Sequence, residues 1–141
     1  MDHPLLYEIN TRCWLRELSE RQGQPIRLGD VPDTEVDRWQ QLGLTHVWLM
    51  GVWTTGPRSR AHALTDPSLR AAYDECLPGW KKEDVAGSPY AIADYTVPRA
   101  LGGETGLKKF RRQLHAHGLK LILDFVPNHV GLDHDWLAGR P

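Results

Sequence analysis

The chain has 141 residues, 40% of them hydrophobic and 25% charged, the composition of a single soluble globular domain. Its 17 Lys and Arg against 18 Asp and Glu leave a net charge of −1 and no basic block that could neutralise a phosphate backbone, which excludes nucleic acid as an expected partner. No stretch approaches the roughly 18 apolar residues of a membrane span, and the opening MDHPLLYEIN lacks the basic and apolar regions of a secretion signal; a cytoplasmic protein with no membrane partner is expected. Cys13 and Cys76 lie far apart without a CxxC or Cys/His cluster, so two free buried thiols are expected rather than a zinc site or a disulfide framework.

The first element is a strand over Leu5–Leu15, rich in aromatic and branched residues. A polar stretch with Gly and Pro, Ser19–Pro32, follows. A helix then starts at Asp33 or Thr34 as cap, sets Val36, Trp39 and Leu42 on one face and ends at Gly43. Thr45–Met50 reads as a buried strand. The connection Gly51–Pro89 is long, and within it Asp66 as cap and Pro67 at the first helical position introduce a helix with Leu69, Ala72, Tyr73 and Cys76 on one stripe. Insertions of this length serve as binding loops or lids. Leu107, Phe110, Leu114 and His117 form a further helix, capped by Thr105 or Glu104 and stopped by Gly118.

The last element, GLKLILDFVPNHVG over Gly118–Gly131, has the continuous apolarity of a parallel strand covered on both faces. It carries one carboxylate, Asp124, and breaks at Pro127 into Asn128 and His129. The order strand, helix, strand, insertion, helix, strand implies parallel strands joined by right-handed crossovers, in a doubly wound sheet or a (β/α)8 barrel. No GxGxxG follows the first strand and no GxxxxGK[ST] occurs, which favours the barrel.

A carboxylate inside an apolar strand must be paired, so Asp124 requires a partner such as an Arg or backbone amides. Asn128 and His129 fall at the carboxyl end of the strand, the face where barrel enzymes assemble their sites. Six tryptophans are many for this length; core packing is their ordinary use, while Trp48, Trp53 and Trp80 are candidates for stacking on sugar rings.

DFVPNHVG, Asp124–Gly131, resembles the first signature segment of the alpha-amylase superfamily, the glycoside hydrolases of family 13, where it forms the third barrel strand and its loop. The resemblance extends through LYEINTRCWL as first strand, LGLTHVWLMGVW as second, and SPYAIADYTVPRALGG before the second helix, so that nearly the whole chain is covered and the segment 56–82 is least defined. It implies the fold class α/β, about three strands of a (β/α)8 barrel within residues 1–141, with an inserted region around 56–89. It also implies that His129 hydrogen-bonds the sugar beside the cleaved bond, that Tyr90 stacks on it, and that Asp124 helps to hold an Arg near the nucleophile. Asn128 corresponds to a calcium ligand in calcium-dependent members; no cofactor is otherwise required.

The partner implied is an α-linked oligosaccharide or glucoside. Retaining glycosidases need two carboxyl groups ~5 to 5.5 Å apart, and the resemblance places these after strands four and five, with a further Asp after strand seven. No Asp or Glu here matches those positions; Asp133 and Asp135 follow the signature without matching any. The chain is therefore expected to be the amino-terminal piece of a longer glycosidase or transglycosylase, inactive by itself. The other readings are a non-catalytic amylase-like binding or scaffold module, and an unrelated barrel using Asp124 and His129 as metal ligands.

Overall fold

The computed structural model describes residues 3–137 and 139. Its contacts divide the chain into two units, residues 1–52 with 96–125, and residues 53–95 with 126–141.

In the first unit, strand β1 (Leu6–Asn10), β2 (His46–Met50) and β5 (Lys120–Leu123) form a parallel sheet in the order β1-β2-β5. Tyr7 is level with Val47 and Val47 with Leu121. The parallel pairing expected from alternation is present. Three parallel strands joined by helices agree with the expected part of a (β/α)8 barrel, and no closed barrel occurs among the described residues.

The first strand is shorter than its sequence suggests. It stops at Asn10, and helix α1 (Thr11–Gln22) occupies the remainder of the segment read as strand. The physical reason is local: the Asn10 side chain accepts from the Cys13 amide and caps α1, while Thr11, Trp14, Leu15 and Leu18 bury one helical face. Gly23, with φ 65°, ends the helix in the left-handed region.

Helix α2 (Asp33–Gln41) buries Val36 and Trp39, but Leu42 lies outside it and is exposed. Its cap is Pro32 rather than Asp33 or Thr34; the Asp33 carboxylate instead accepts from Gln113 at 2.7 Å. Helix α5 (Gly103–Ala116) buries Gly106, Leu107, Phe110 and Leu114. Neither Thr105 nor Glu104 caps it: the preceding residue is Gly102 with φ 110°, and Glu104 receives the Val97 amide at 2.9 Å.

The core of this unit is aromatic. Trp14 lies 5.4 Å from Trp39 and 5.7 Å from Phe110, between ring centres. Gly29 and Gly106 allow the turn at Leu28–Asp30 to meet α5 backbone to backbone, since a Cβ on either would come within 3.2 Å of the other. β5 is the last strand of the sheet and is not covered on both faces: Ile122 is 38% and Phe125 76% exposed.

The second unit holds the insertion. A two-residue strand, β3 (Thr54–Thr55), pairs antiparallel with β4 (Ile92–Asp94). Between them run α3 (Pro57–Thr65) and α4 (Pro67–Cys76). Asp66 caps α4 by accepting from Ser68 and Leu69, with Pro67 in the first turn, as its sequence predicts. Helix α4 buries no residue. Both cysteines are free, and both are exposed rather than buried, because Cys13 lies on the outer face of α1 and Cys76 ends this uncovered helix. Among the described residues no helix is long and apolar enough to cross a membrane.

Candidate functional site

The candidate residues fall in both units. In the first, Asp124 directly follows β5 and is 7% exposed. Both its carboxylate oxygens are engaged: Oδ1 accepts from the Trp48 indole at 2.7 Å and Oδ2 from the Gly51 amide at 2.6 Å. Gly51 has φ 74°, a left-handed turn at the end of β2 that any side chain would strain. The carboxylate therefore pairs with a backbone amide, one of the two partners its burial requires, and with an indole that the sequence left as a stacking candidate. Trp48 acts here as a donor. Elsewhere in the first unit, burial lowers the pKa of the Arg12 guanidinium from its ordinary value.

The second unit holds Tyr90, Asn128 and His129. The chain beyond β5 is fixed by Tyr95, whose hydroxyl donates to the Val126 carbonyl at 3.2 Å and accepts from the Val126 amide at 2.9 Å. Trp53 packs edge-on against that ring, 5.4 Å between centres. Further along, the Gly131 amide donates to the Ile92 carbonyl at 2.8 Å. A Cβ at Gly131 would lie 2.5 Å from the Ala91 carbonyl oxygen, so only glycine permits this approach. His129 is thus held between two backbone anchors.

His129, Val130, Gly131 and Leu132 line a cavity of about 400 Å³, with Ser59, His62 and Ala63 of α3, Leu69 and Tyr73 of α4, and Gly87, Ser88 and Ala91. Among the described residues its wall contains no Asp or Glu. Tyr90 is about one-third exposed, between Ser88 and Ala91 of the cavity wall, and its amide donates to the Ser88 hydroxyl at 3.3 Å. His129 and the neighbours of Tyr90 therefore share one cavity, while the Tyr90 ring is not part of its lining.

Asn128 is exposed. Calcium takes six to eight oxygen ligands, whereas among the described residues no three His, Cys, Asp or Glu side chains assemble as a metal site. Among the described residues, Asn128 therefore has no such carboxylate cluster beside it. The same observation removes the expected partners from a metal site built on Asp124 and His129.

Asp133, left without a role by the sequence pattern, is the joint of this unit. Its Oδ1 accepts from the Arg58 amide at 3.1 Å and its Oδ2 from the Ser59 amide at 3.1 Å, at the amino end of α3. Burial pushes this carboxyl up, but the hydrogen bonds of Arg58 and Ser59 and the Arg58 charge together bring it below its ordinary value. Arg58 also donates to the Leu132 carbonyl at 3.2 Å. A Cβ at Gly56 would collide with the Asp133 side chain. The cap arrives from 74 residues away in sequence, so no local pattern could reveal it.

Comparison with known proteins bears on the whole arrangement. The family profile described as the alpha-amylase catalytic domain matches residues 34–140. The chain belongs to the alpha-amylase family. Among curated relatives, an alpha-glucosidase of Culex pipiens is 38% identical over 50 residues, 35% of this chain and 9% of the relative. The 1,4-alpha-glucan branching enzyme GlgB of Corynebacterium jeikeium is 28% identical over 136 residues, 96% of this chain and 14% of the relative. The chain thus spans a small part of the length of the alpha-amylase family members it matches.

Among solved structures, the noncanonic maltogenic alpha-amylase AmyB from Thermotoga neapolitana superposes with a TM-score of 0.61 at 23% identity, over 96% of this chain and 26% of that one. The alpha-amylase of Geobacillus thermoleovorans complexed with acarbose gives a TM-score of 0.56 at 24% identity, over 96% and 25%. At these identities the likeness shows the alpha-amylase family fold alone.

Proposed function

We propose that this segment supplies part of the sugar-binding site of an enzyme that cleaves or transfers α-glucosidic bonds by double displacement. His129 hydrogen-bonds the ring of the attacked sugar, Tyr90, beside the cavity but outside its lining, contributes to holding that ring, and Asp124 has a supporting role. Membership of the alpha-amylase family supports the substrate class, as do relatives named for alpha-glucosidase and glucan-branching activity and a neighbouring fold complexed with acarbose. The observation that carries the reading is the position of His129, presented by a doubly anchored loop to a cavity of ligand size.

The chemistry of this chain is binding and orientation. An imidazole N–H donates to a sugar hydroxyl, and a held ring loses the freedom that would otherwise oppose attack at its anomeric carbon. Double displacement also needs a nucleophilic carboxylate and an acid/base carboxyl on either side of the glycosidic bond. The cavity wall offers neither, so no proton or glycosyl transfer is assigned to residues of this chain, and no step runs through calcium.

The test is a titration of residues 1–141 with methyl α-D-glucoside, followed through the His129 ring resonances. The expected result is a saturable shift of those resonances and loss of affinity in His129→Ala. Saturable binding that leaves His129 unmoved and survives the substitution contradicts the role given to it.

A further inference from the structure

Helix α5 gathers cations on the side that the core does not use. It holds four Lys and Arg against a single Glu, in a chain whose net charge is −1. Leu107, Phe110 and Leu114 fix the helix to the first unit. On the other side Thr105, Lys108, Arg112 and His115 follow one another at intervals of three and four residues, with Arg111 beside them, so that all five share one exposed face. These side chains border an open concavity of about 540 Å³. Among the described residues, no acidic and no apolar side chain lines it.

The charge on this face is unmatched. On α1 the exposed cations meet acids one turn away, Arg16 with Glu20 at 3.1 Å and Arg21 with Glu17 at 4.0 Å. Glu104 stands one turn before Lys108, but its carboxylate accepts from the Val97 amide at 2.9 Å instead. Arg112 has Lys108 one turn before it, and Arg111 has His115 one turn after it. Among the described residues no ion pair or side-chain hydrogen bond reaches Lys108, Arg111, Arg112 or His115. The helix dipole favours cations in the last turn, which accounts for His115 and leaves the other three uncompensated. Like charges one turn apart disfavour the helix, and an anion lying between them relieves that repulsion.

The lining also selects the anion. A guanidinium grips phosphate oxygens through two parallel N–H bonds, an ammonium adds a point charge, and hydroxyl and imidazole supply further donors. Without an apolar wall the face offers nothing to a hydrophobic group. Lys108 and His115 lie seven residues apart, about 10 Å of helix, the scale of a short run of linked phosphates. A nucleic acid backbone, held through roughly six to ten phosphates, needs a longer surface.

We propose that the outer face of α5 binds a compact polyanion of linked phosphates, with Arg111 and Arg112 as the bidentate contacts and Lys108 and His115 on either side. This site is separate from the His129 cavity and does not depend on the function proposed for it.

The test titrates the 141-residue chain with inorganic triphosphate at about 0.15 M salt, followed by calorimetry and through the α5 amide resonances. Saturable binding that shifts those resonances and exceeds the affinity for orthophosphate is expected. Arg111→Gln and Arg112→Gln should each weaken it about 2- to 5-fold, the range of one exposed ion pair, with unchanged helicity by circular dichroism. Arg70→Gln, which removes the same charge from exposed α4, should leave it unchanged. The phosphates can arrive free or on a nucleoside, and ATP run in parallel separates the two: equal affinity assigns the free oligophosphate, tighter binding the nucleotide, and either upholds the phosphate site. Four results overturn it: no saturable binding, equal affinity for orthophosphate (an adventitious ion only), an equal loss in Arg70→Gln, or tighter binding of hexaglutamate, which would give this face to an acidic protein segment.

Discussion

Replacing Asp124 with Ala removes the acceptor of two hydrogen bonds at once, the 2.7 Å bond from the Trp48 indole and the 2.6 Å bond from the Gly51 amide. A buried donor left without a partner costs about 1–3 kcal/mol. The Gly51 amide, in a buried bond, is exposed to the whole of that penalty, whereas Trp48 is half-buried and water can reach part of its indole. The sum is about 2–4 kcal/mol. With a urea m-value of ~1.5 kcal/mol/M, the unfolding midpoint falls by roughly 1–3 M. Tryptophan fluorescence during urea unfolding measures it, and Asp124→Asn, which keeps the shape and one carbonyl acceptor, falls between the two. A midpoint for Asp124→Ala within about 0.3 M of the wild type refutes the pairing described for this carboxylate.

Three further outcomes are expected. His117 donates from Nδ1 to the Gln113 carbonyl at 2.8 Å, which raises its pKa; burial opposes the shift and Asp37, 3.0 Å from Nε2, adds to it. A raised value means that His117 stabilises the fold below its unfolded pKa and that this contribution is lost as pH rises through the folded one; Asp37→Asn should lower the pKa in an NMR titration and shrink that loss. Gly131→Ala forces a Cβ to 2.5 Å from the Ala91 carbonyl oxygen and should destabilise the second unit, read as faster amide exchange at Gly131 and Ser59, with unchanged exchange in α5. Finally, residues 1–141 should show no turnover of an aryl α-glucoside; turnover abolished by changing a carboxylate within the chain would place the reactive groups here after all.

Much of the first unit was legible because its signals are local. Val36 and Trp39, the run from Thr45 to Met50, and Leu107, Phe110 and Leu114 each follow the period of the element they form. The difference at LYEINTRCWL has an equally local cause: aromatic and branched residues give the segment a strand composition, while Asn10 within it is the cap that divides strand from helix. The second unit was harder because its organisation is non-local. Helix α4 announced itself through Asp66 and Pro67, but α3 is capped by Asp133 from across the unit. Of the stripe on α4, Leu69 and Tyr73 line a cavity rather than a core, a distinction that depends on what lies opposite. For the site, the signature segment contains His129 and Asp124 and the ADY segment holds Tyr95, which fixes the loop, whereas the contributions of Trp48, Gly51 and Asp133 depend on contacts that no spacing encodes.

The central claim, that the loop of His129 presents a sugar-binding cavity, is tested most directly by a crystal structure of residues 1–141 with maltotriose bound. The expected result is a glucosyl ring in the cavity, with a hydroxyl within hydrogen-bonding distance of a His129 ring nitrogen. An oligosaccharide ordered elsewhere on the chain, with the cavity at His129 free of sugar, would contradict it.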